Sequence, residues 1–168
     1  MIRTISRVLL LVSIPVLSLA EKTVIHTADE PLPPEQAAAT MQVPEGFEVS
    51  LFAGEPDVKQ PIGFAIDDRG RLWVAEAYQY PDHNDQPAKD RILIFEDTDR
   101  DGKADKQSVF ADNLHLPTGF ELSHDGVFVA QGRHLVHLRD ANGDVRADAR
   151  TIVLSGVDDH DPHHVCSA

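Results

Sequence analysis

Cysteine is nearly absent from this chain: Cys166 is the only one among 168 residues. A single thiol excludes an internal disulfide framework, gives no disulfide partner, and leaves no Cys-x-x-Cys-His haem site. Long apolar runs are equally scarce. After the first twenty residues no segment is apolar enough to span a hydrocarbon core of about 30 Å. Basic charge is short as well, with 15 Lys and Arg against 28 Asp and Glu and a net charge of −13. Such a surface repels phosphate, which excludes nucleic acid as a partner. Nowhere does a 3.6-residue apolar period persist long enough for a long amphipathic helix. The fold class these absences leave is all-β.

What is present begins with an export signal over residues 1–20, expected as a helix. Arg3 and Arg7 supply its charged start, Val8 to Val16 its apolar centre, and Ser18-Leu-Ala20 the small residues that precede cleavage. The run is short for a membrane anchor. The expected location is therefore exported, periplasmic or extracellular. Residues 21–42, with Pro31, Pro33, Pro34 and the run Glu35-Gln-Ala-Ala-Ala39, read as a Pro/Ala-rich linker with a helical turn after the prolines. Residues 43–168 form the remaining domain. Its first stretch alternates apolar residues at Phe47, Val49 and Leu51, the period of a strand.

Within that domain two segments repeat 43 residues apart. Arg91 to Phe110 and His134 to Val153 each read as an apolar strand, an acidic turn and a second β-branched strand. Asp97, Asp99, Asp101, Ala104 and Asp105 fall on Asp140, Asn142, Asp144, Ala147 and Asp148. Upstream, Pro61-Ile-Gly-Phe64 matches Pro117-Thr-Gly-Phe120, and Leu72-Trp-Val-Ala75 matches Val127-Phe-Val-Ala130. Asp67-Asp-Arg-Gly70 supplies the turn of the first upstream hairpin. The first unit carries an insertion at residues 77–90, which belongs in a loop because packing fixes the strands. Four short strands repeating at about 40–45 residues are the pattern of β-propeller blades. Closure needs about 4–8 blades, and this domain supplies about two plus a leading strand. The expectation is an incomplete propeller cut from a longer scaffold. Trp73 and Phe128, with Phe47, Phe64 and Phe120, are expected in the blade core.

Three clusters could carry chemistry. Asp97-Thr-Asp-Arg-Asp-Gly-Lys-Ala-Asp105 places carboxylates at Asp97, Asp99, Asp101 and Asp105 around a glycine. That is the first part of a calcium loop, in which hard oxygen ligands converge as the backbone turns. The same residues also suit a plain Asp/Gly turn, with each Asp bonding nearby amides. Ser108 stands where an EF-hand needs its bidentate glutamate, and strands flank the loop, so an EF-hand is excluded. Its second copy has Asn142 and a displaced Gly143, a weaker calcium pattern. Asp158-Asp-His-Asp-Pro-His-His164 pairs imidazole with carboxylate, which suits a metal site, an oriented general base or an exposed polar loop. Tyr78, Tyr80 and His83 in the insertion could face a ligand or pack on one another.

Pro44-Glu-Gly-Phe47, Leu51-Phe-Ala-Gly-Glu-Pro56, Gln60-Pro61 and Asp67-Asp-Arg-Gly-Arg-Leu-Trp-Val-Ala-Glu76 resemble the opening of the membrane-bound dehydrogenase family. The propeller of that family is similar to that of glucose/sorbosone quinoprotein dehydrogenases. Arg91-Ile-Leu-Ile-Phe-Glu-Asp-Thr-Asp99, Leu116-Pro-Thr-Gly119 and Asp161-Pro-His-His164 continue the match, which covers about residues 43–164. The resemblance implies a six-bladed-type scaffold, pyrroloquinoline quinone as cofactor, a sugar or other alcohol as substrate once the propeller is complete, and association with a membrane. It also implies His164 as the base that takes a hydroxyl proton as hydride leaves. The family's Trp-Gly-Pro-Asp-Gly strand after that motif is missing, and Leu114-His-Leu116 stands where the quinoproteins carry Gln-Asn-Gly. These 168 residues alone are therefore expected to be inactive. The second expectation is a non-enzymatic, calcium-stabilised propeller module for binding or assembly.

Overall fold

The computed structural model describes residues 31–80 and 88–157. All but Pro31 belong to one compact unit, Leu32–Ala168. The signal expected at 1–20 and the histidine cluster at 158–164 lie outside the described residues. A short helix, α1 (Pro34–Thr40), opens the unit. Proline is tolerated in a first turn, where its missing N–H would have had no partner, and Glu35 adds an acid near the free amides. No residue of α1 is buried. It is two turns long, within the expected linker. Among the described residues no helix is long and apolar enough to cross a membrane.

Eight strands follow. β1 (Pro61–Ile66), β2 (Leu72–Glu76), β3 (Asp90–Glu96) and β4 (Lys106–Leu114) form one antiparallel sheet in chain order. β5 (Pro117–Ser123), β6 (Gly126–Gln131), β7 (His134–Arg139) and β8 (Ala149–Ser155) form the second in the same order. Each strand pairs with the next in the chain, which antiparallel neighbours can do through a connection as short as a tight turn. At the β5–β6 turn only glycine fits: a Cβ on Gly126 would stand 2.0 Å from the Leu138 carbonyl oxygen.

The sequence repeat is a repeat of pairing register, defects included. Ile94 lies opposite Ser108 in the first sheet and His137 opposite Thr151 in the second. The register slips between Ile92 and Leu93, and again between Leu135 and Val136. A further irregularity falls inside both Pro-x-Gly-Phe segments, between Pro61 and Gly63 and between Pro117 and Gly119. Such bulges bend and twist a strand locally, so the two sheets are shaped alike.

They pack face to face. Trp73, Ala75, Ile92, Ile94 and Phe110 of the first sheet meet Val127, Val129, Val136 and Leu138 of the second. Trp73 and Phe110 stack edge to face with centroids 4.8 Å apart. The opposite face of the first sheet, Val74, Leu93 and Phe95, is covered by Phe52, Ala53 and Val58 from the segment before β1. Two expectations need correction. Residues 47–51 form no strand, because among the described residues no strand lies beside them to pair with. Phe47 and Phe64 are 72% and 74% exposed, because none of the described residues covers their side. Trp73 is core as expected, Phe120 is half-buried against the inter-sheet cluster, and Phe128 is half-buried, stacked on His137 at 4.2 Å.

Candidate functional site

The strand directions sort the connections onto two ends. The turns β1–β2, β3–β4, β5–β6 and β7–β8 share one, the turn end. The β2–β3 insertion, the short β6–β7 turn and the β4–β5 link share the other, the loop end. The long insertion expected at 77–90 therefore joins β2 to β3 at the loop end, although residues 81–87, with His83, lie outside the described residues.

Buried polar groups gather at this loop end. Glu76 closes β2 and is 0% exposed. Its Oε1 accepts the Lys59 amide at 2.6 Å, and its Oε2 accepts the Tyr78 hydroxyl at 2.8 Å and the Arg91 guanidinium. Arg91 lies opposite Glu76 in the β2–β3 register, donates to the Tyr78 oxygen at 3.0 Å and sits 5.6 Å from that ring centroid. Burial, followed by the Glu76 carboxylate, pushes the Tyr78 hydroxyl above its ordinary value. Burial opposes the charge on Arg91, but Glu76 outweighs it and raises that pKa. Tyr78 is thus held as a donor to Glu76 and an acceptor from Arg91. Asp90, also 0% exposed, accepts the Gln79 amide at 3.1 Å and the Leu116 amide at 2.8 Å. It ties the insertion to the inter-sheet link.

The second sheet repeats the framework with different chemistry. Gln131 corresponds to Glu76, and its Oε1 accepts the His115 amide at 3.2 Å, as Glu76 accepts that of Lys59. In both sheets the next residue, Gln60 or Leu116, has φ 45° and precedes a proline. Left-handed backbone at a non-glycine residue stores strain that the surroundings must hold in place. Across from Gln131, where the first sheet has Arg91, stands His134. The Gln131 Nε2 and the His134 Nδ1 are buried and have no hydrogen-bond partner among the described residues. A buried unpaired donor costs about 1–3 kcal/mol, so among the described residues this pair is where the loop end lacks a polar partner.

The acidic turns lie at the far end. Asp97 accepts the amides of Arg100, Asp101 and Gly102, and Asp140 those of Gly143, Asp144 and Val145. Desolvation raises both carboxyl pKa values, but these amides together outweigh it and hold them below the ordinary 3.8. Asp105 accepts the Thr98 amide and hydroxyl, and Asp148 the Ala141 amide. Both turns adopt positive φ at the same two positions, Arg100 and Gly102 in one, Gly143 and Val145 in the other. The displaced glycine of the second copy therefore does not change the backbone; each turn has glycine at one of its two left-handed positions. Asp97, Asp99 and Asp105 each place an oxygen within 4.8 Å of the others. Asp101 falls outside that group and accepts the Lys103 amide. Tyr80 is exposed, and His164 lies outside the described residues.

Sequence reading passed over Glu76, Asp90, Arg91 and Gln131. Their signal was available: each is polar at the end of an otherwise apolar strand, on the side where the insertion leaves the sheet.

The model of a family named for a domain of unknown function, DUF7133, matches residues 33–168. The chain belongs to the DUF7133 family. No curated protein and no solved structure matches it. The match takes in both sheets, α1 and the segment between, so the loop end lies wholly inside the DUF7133 domain.

Proposed function

We propose that the two sheets are blades of an exported six-bladed-type β-propeller resembling the glucose/sorbosone quinoprotein dehydrogenases, and that the loop end is its working face. One observation carries this reading. The insertion, the strained Gln60 and Leu116 and every fully buried carboxylate among the described residues gather at one end of two sheets that share one register. Propeller loops at one end surround the axis, so a ligand there meets several blades at once.

On this reading the 168 residues turn over no alcohol by themselves. Hydride transfer needs substrate, cofactor and base held together away from water, and two blades supply only part of such a wall. Glu76 is committed to Arg91, and Asp90 to two amides, so neither offers a free group to a cofactor. The base role that the resemblance gives His164 belongs to a completed ring. The test is dye-linked oxidation of sugars with added pyrroloquinoline quinone and calcium. No turnover is expected from the 168-residue chain; a form carrying further repeats should be active and should lose activity with His164→Ala. Turnover by the short chain, abolished by His164→Ala, would overturn the reading.

A second reading is a non-enzymatic propeller module stabilised by calcium. The close approach of the Asp97, Asp99 and Asp105 oxygens favours it; the amides already bonded to Asp97 and Asp105 weigh against it.

A further inference from the structure

Side chains alternate along a strand, so Gln131 shares the face of Val127 and Val129, and His134 that of Val136 and Leu138. Those four apolar residues meet the first sheet. Gln131 and His134, opposite each other in the β6–β7 register, continue the same face to its loop end. Both are therefore directed into the seam between the sheets. Gln131 is 3% exposed, and its carboxamide has one orientation: Oε1 accepts the His115 amide, which leaves Nε2 as the end pointing away. Among the described residues Nε2 has no acceptor and the His134 Nδ1 has no partner. His134 as a whole is half-buried, so part of its ring reaches solvent while Nδ1 does not. The matching corner of the first sheet is closed, with Glu76 and Arg91 bonded to each other.

We propose that Gln131 and His134 form a hydroxyl-binding subsite in this seam, filled by water in the free chain and by one hydroxyl of a polyol when ligand is bound. The pairing of groups selects that chemistry. The carboxamide nitrogen only donates, and a neutral imidazole offers an acceptor at one nitrogen. A hydroxyl oxygen accepts from the first and donates to the second. A cation would face the Nε2 hydrogens. An anion would face Asp90, which is 0% exposed and accepts the Leu116 amide, next in the chain to the His115 amide that Gln131 holds. A water with these two partners meets the minimum for a buried one, and a ligand hydroxyl that reproduces both bonds displaces it without loss. The inference rests on the loop end being the ligand-binding face, and not on oxidation taking place there.

The subsite lies between two sheets that this chain supplies, so binding is measurable in the 168 residues themselves. Glycerol is the probe. Its titration should move the NMR signals of the Gln131 side-chain amide and the His134 ring nitrogens along one saturating curve. Acetate at equal concentration should leave them in place. His134→Phe should weaken glycerol binding at least tenfold. Should that variant fail to fold, Gln131→Glu combined with His134→Arg, which copies Glu76 and Arg91, takes its place and should abolish the response. No saturable response to glycerol overturns the proposal, as does an equal response to acetate or unchanged glycerol binding in the variants. Magnetisation transfer from water to both groups with no response to glycerol marks a structural water only, and overturns the polyol subsite as well. A form carrying further repeats that binds glycerol through Gln131 and His134, yet oxidises no alcohol, would count against the enzymatic reading alone.

Discussion

The two loop ends are built on one frame and filled with opposite chemistry. In the first sheet Glu76 and Arg91 close on each other and on Tyr78, leaving the charge buried and paired. In the second, Gln131 and His134 hold the same positions with two polar atoms unpaired. The frame is the repeated register and the amide held ahead of Gln60 or Leu116. The lesson is that repetition sets where side chains go, and substitution at those places separates a locked corner from an open one. The acidic turns differ the other way: their glycines move, yet their backbone and their Asp–amide bonds stay the same.

The largest effect that could break this comparison is at Glu76. Removing Glu76 leaves the partly exposed Arg91, the Tyr78 hydroxyl and the Lys59 amide without their shared acceptor, at about 1–3 kcal/mol for each buried group left unpaired. Glu76→Ala should therefore lower the urea midpoint far more than Gln131→Ala, where one neutral hydrogen bond is worth about 1 kcal/mol. Similar losses at the two positions would show that the corners do not differ as described. Asp90→Ala comes next. It releases the Gln79 and Leu116 amides together, at about 2 kcal/mol on the scale for bonds to a charged acceptor, and amide exchange at both residues should speed up.

How much of this was legible beforehand follows the physics of each element. The hairpins were readable because alternation and turn residues are local: Asp67 takes the Arg69 and Arg71 amides and Gly70 carries φ 78°, as the run Asp67-Asp-Arg-Gly70 suggests. Phe47 and Phe64 were misread because burial depends on what covers a face, which no local pattern records. Strand period at Phe47, Val49 and Leu51 was present, but a strand is a pairing, and the described residues supply no partner. The loop-end network escaped because Glu76 and Arg91 are 15 residues apart and meet only across β2 and β3.

At the turn end the comparison can be sharpened by backbone strain. A left-handed non-glycine residue costs about 1–2 kcal/mol, so exposed Arg100→Gly should raise the thermal midpoint. An unchanged midpoint would mean that the Asp97 bonds already absorb the strain. Acid should then affect the two turns alike. Asp97 and Asp140 have folded pKa values below 3.8, so the stability they contribute is present above that pH and is lost as pH falls through the folded values. Asp67 follows the same sign, its burial outweighed by bonds from Trp73 and Arg71. Carboxyl titration by NMR should place all three below an exposed Asp. The smallest expected effect is calcium. If Asp97, Asp99 and Asp105 take an ion, added calcium raises the thermal midpoint by linkage, and Asp99→Ala removes the shift. No shift leaves the turn held by its own amides.

On the proposed reading the loop end meets the ligand and the turn end holds the sheets together. The direct measurement is kcat/KM for sugar oxidation, taken beside thermal stability, in a form of the chain that carries further repeats. Gln131→Ala and His134→Ala should each cut kcat/KM at least tenfold with little change in midpoint. Asp97→Ala and Asp140→Ala should lower the midpoint and leave kcat/KM near its original value. The reverse pattern, activity lost at the acidic turns and kept at Gln131 and His134, would contradict the account.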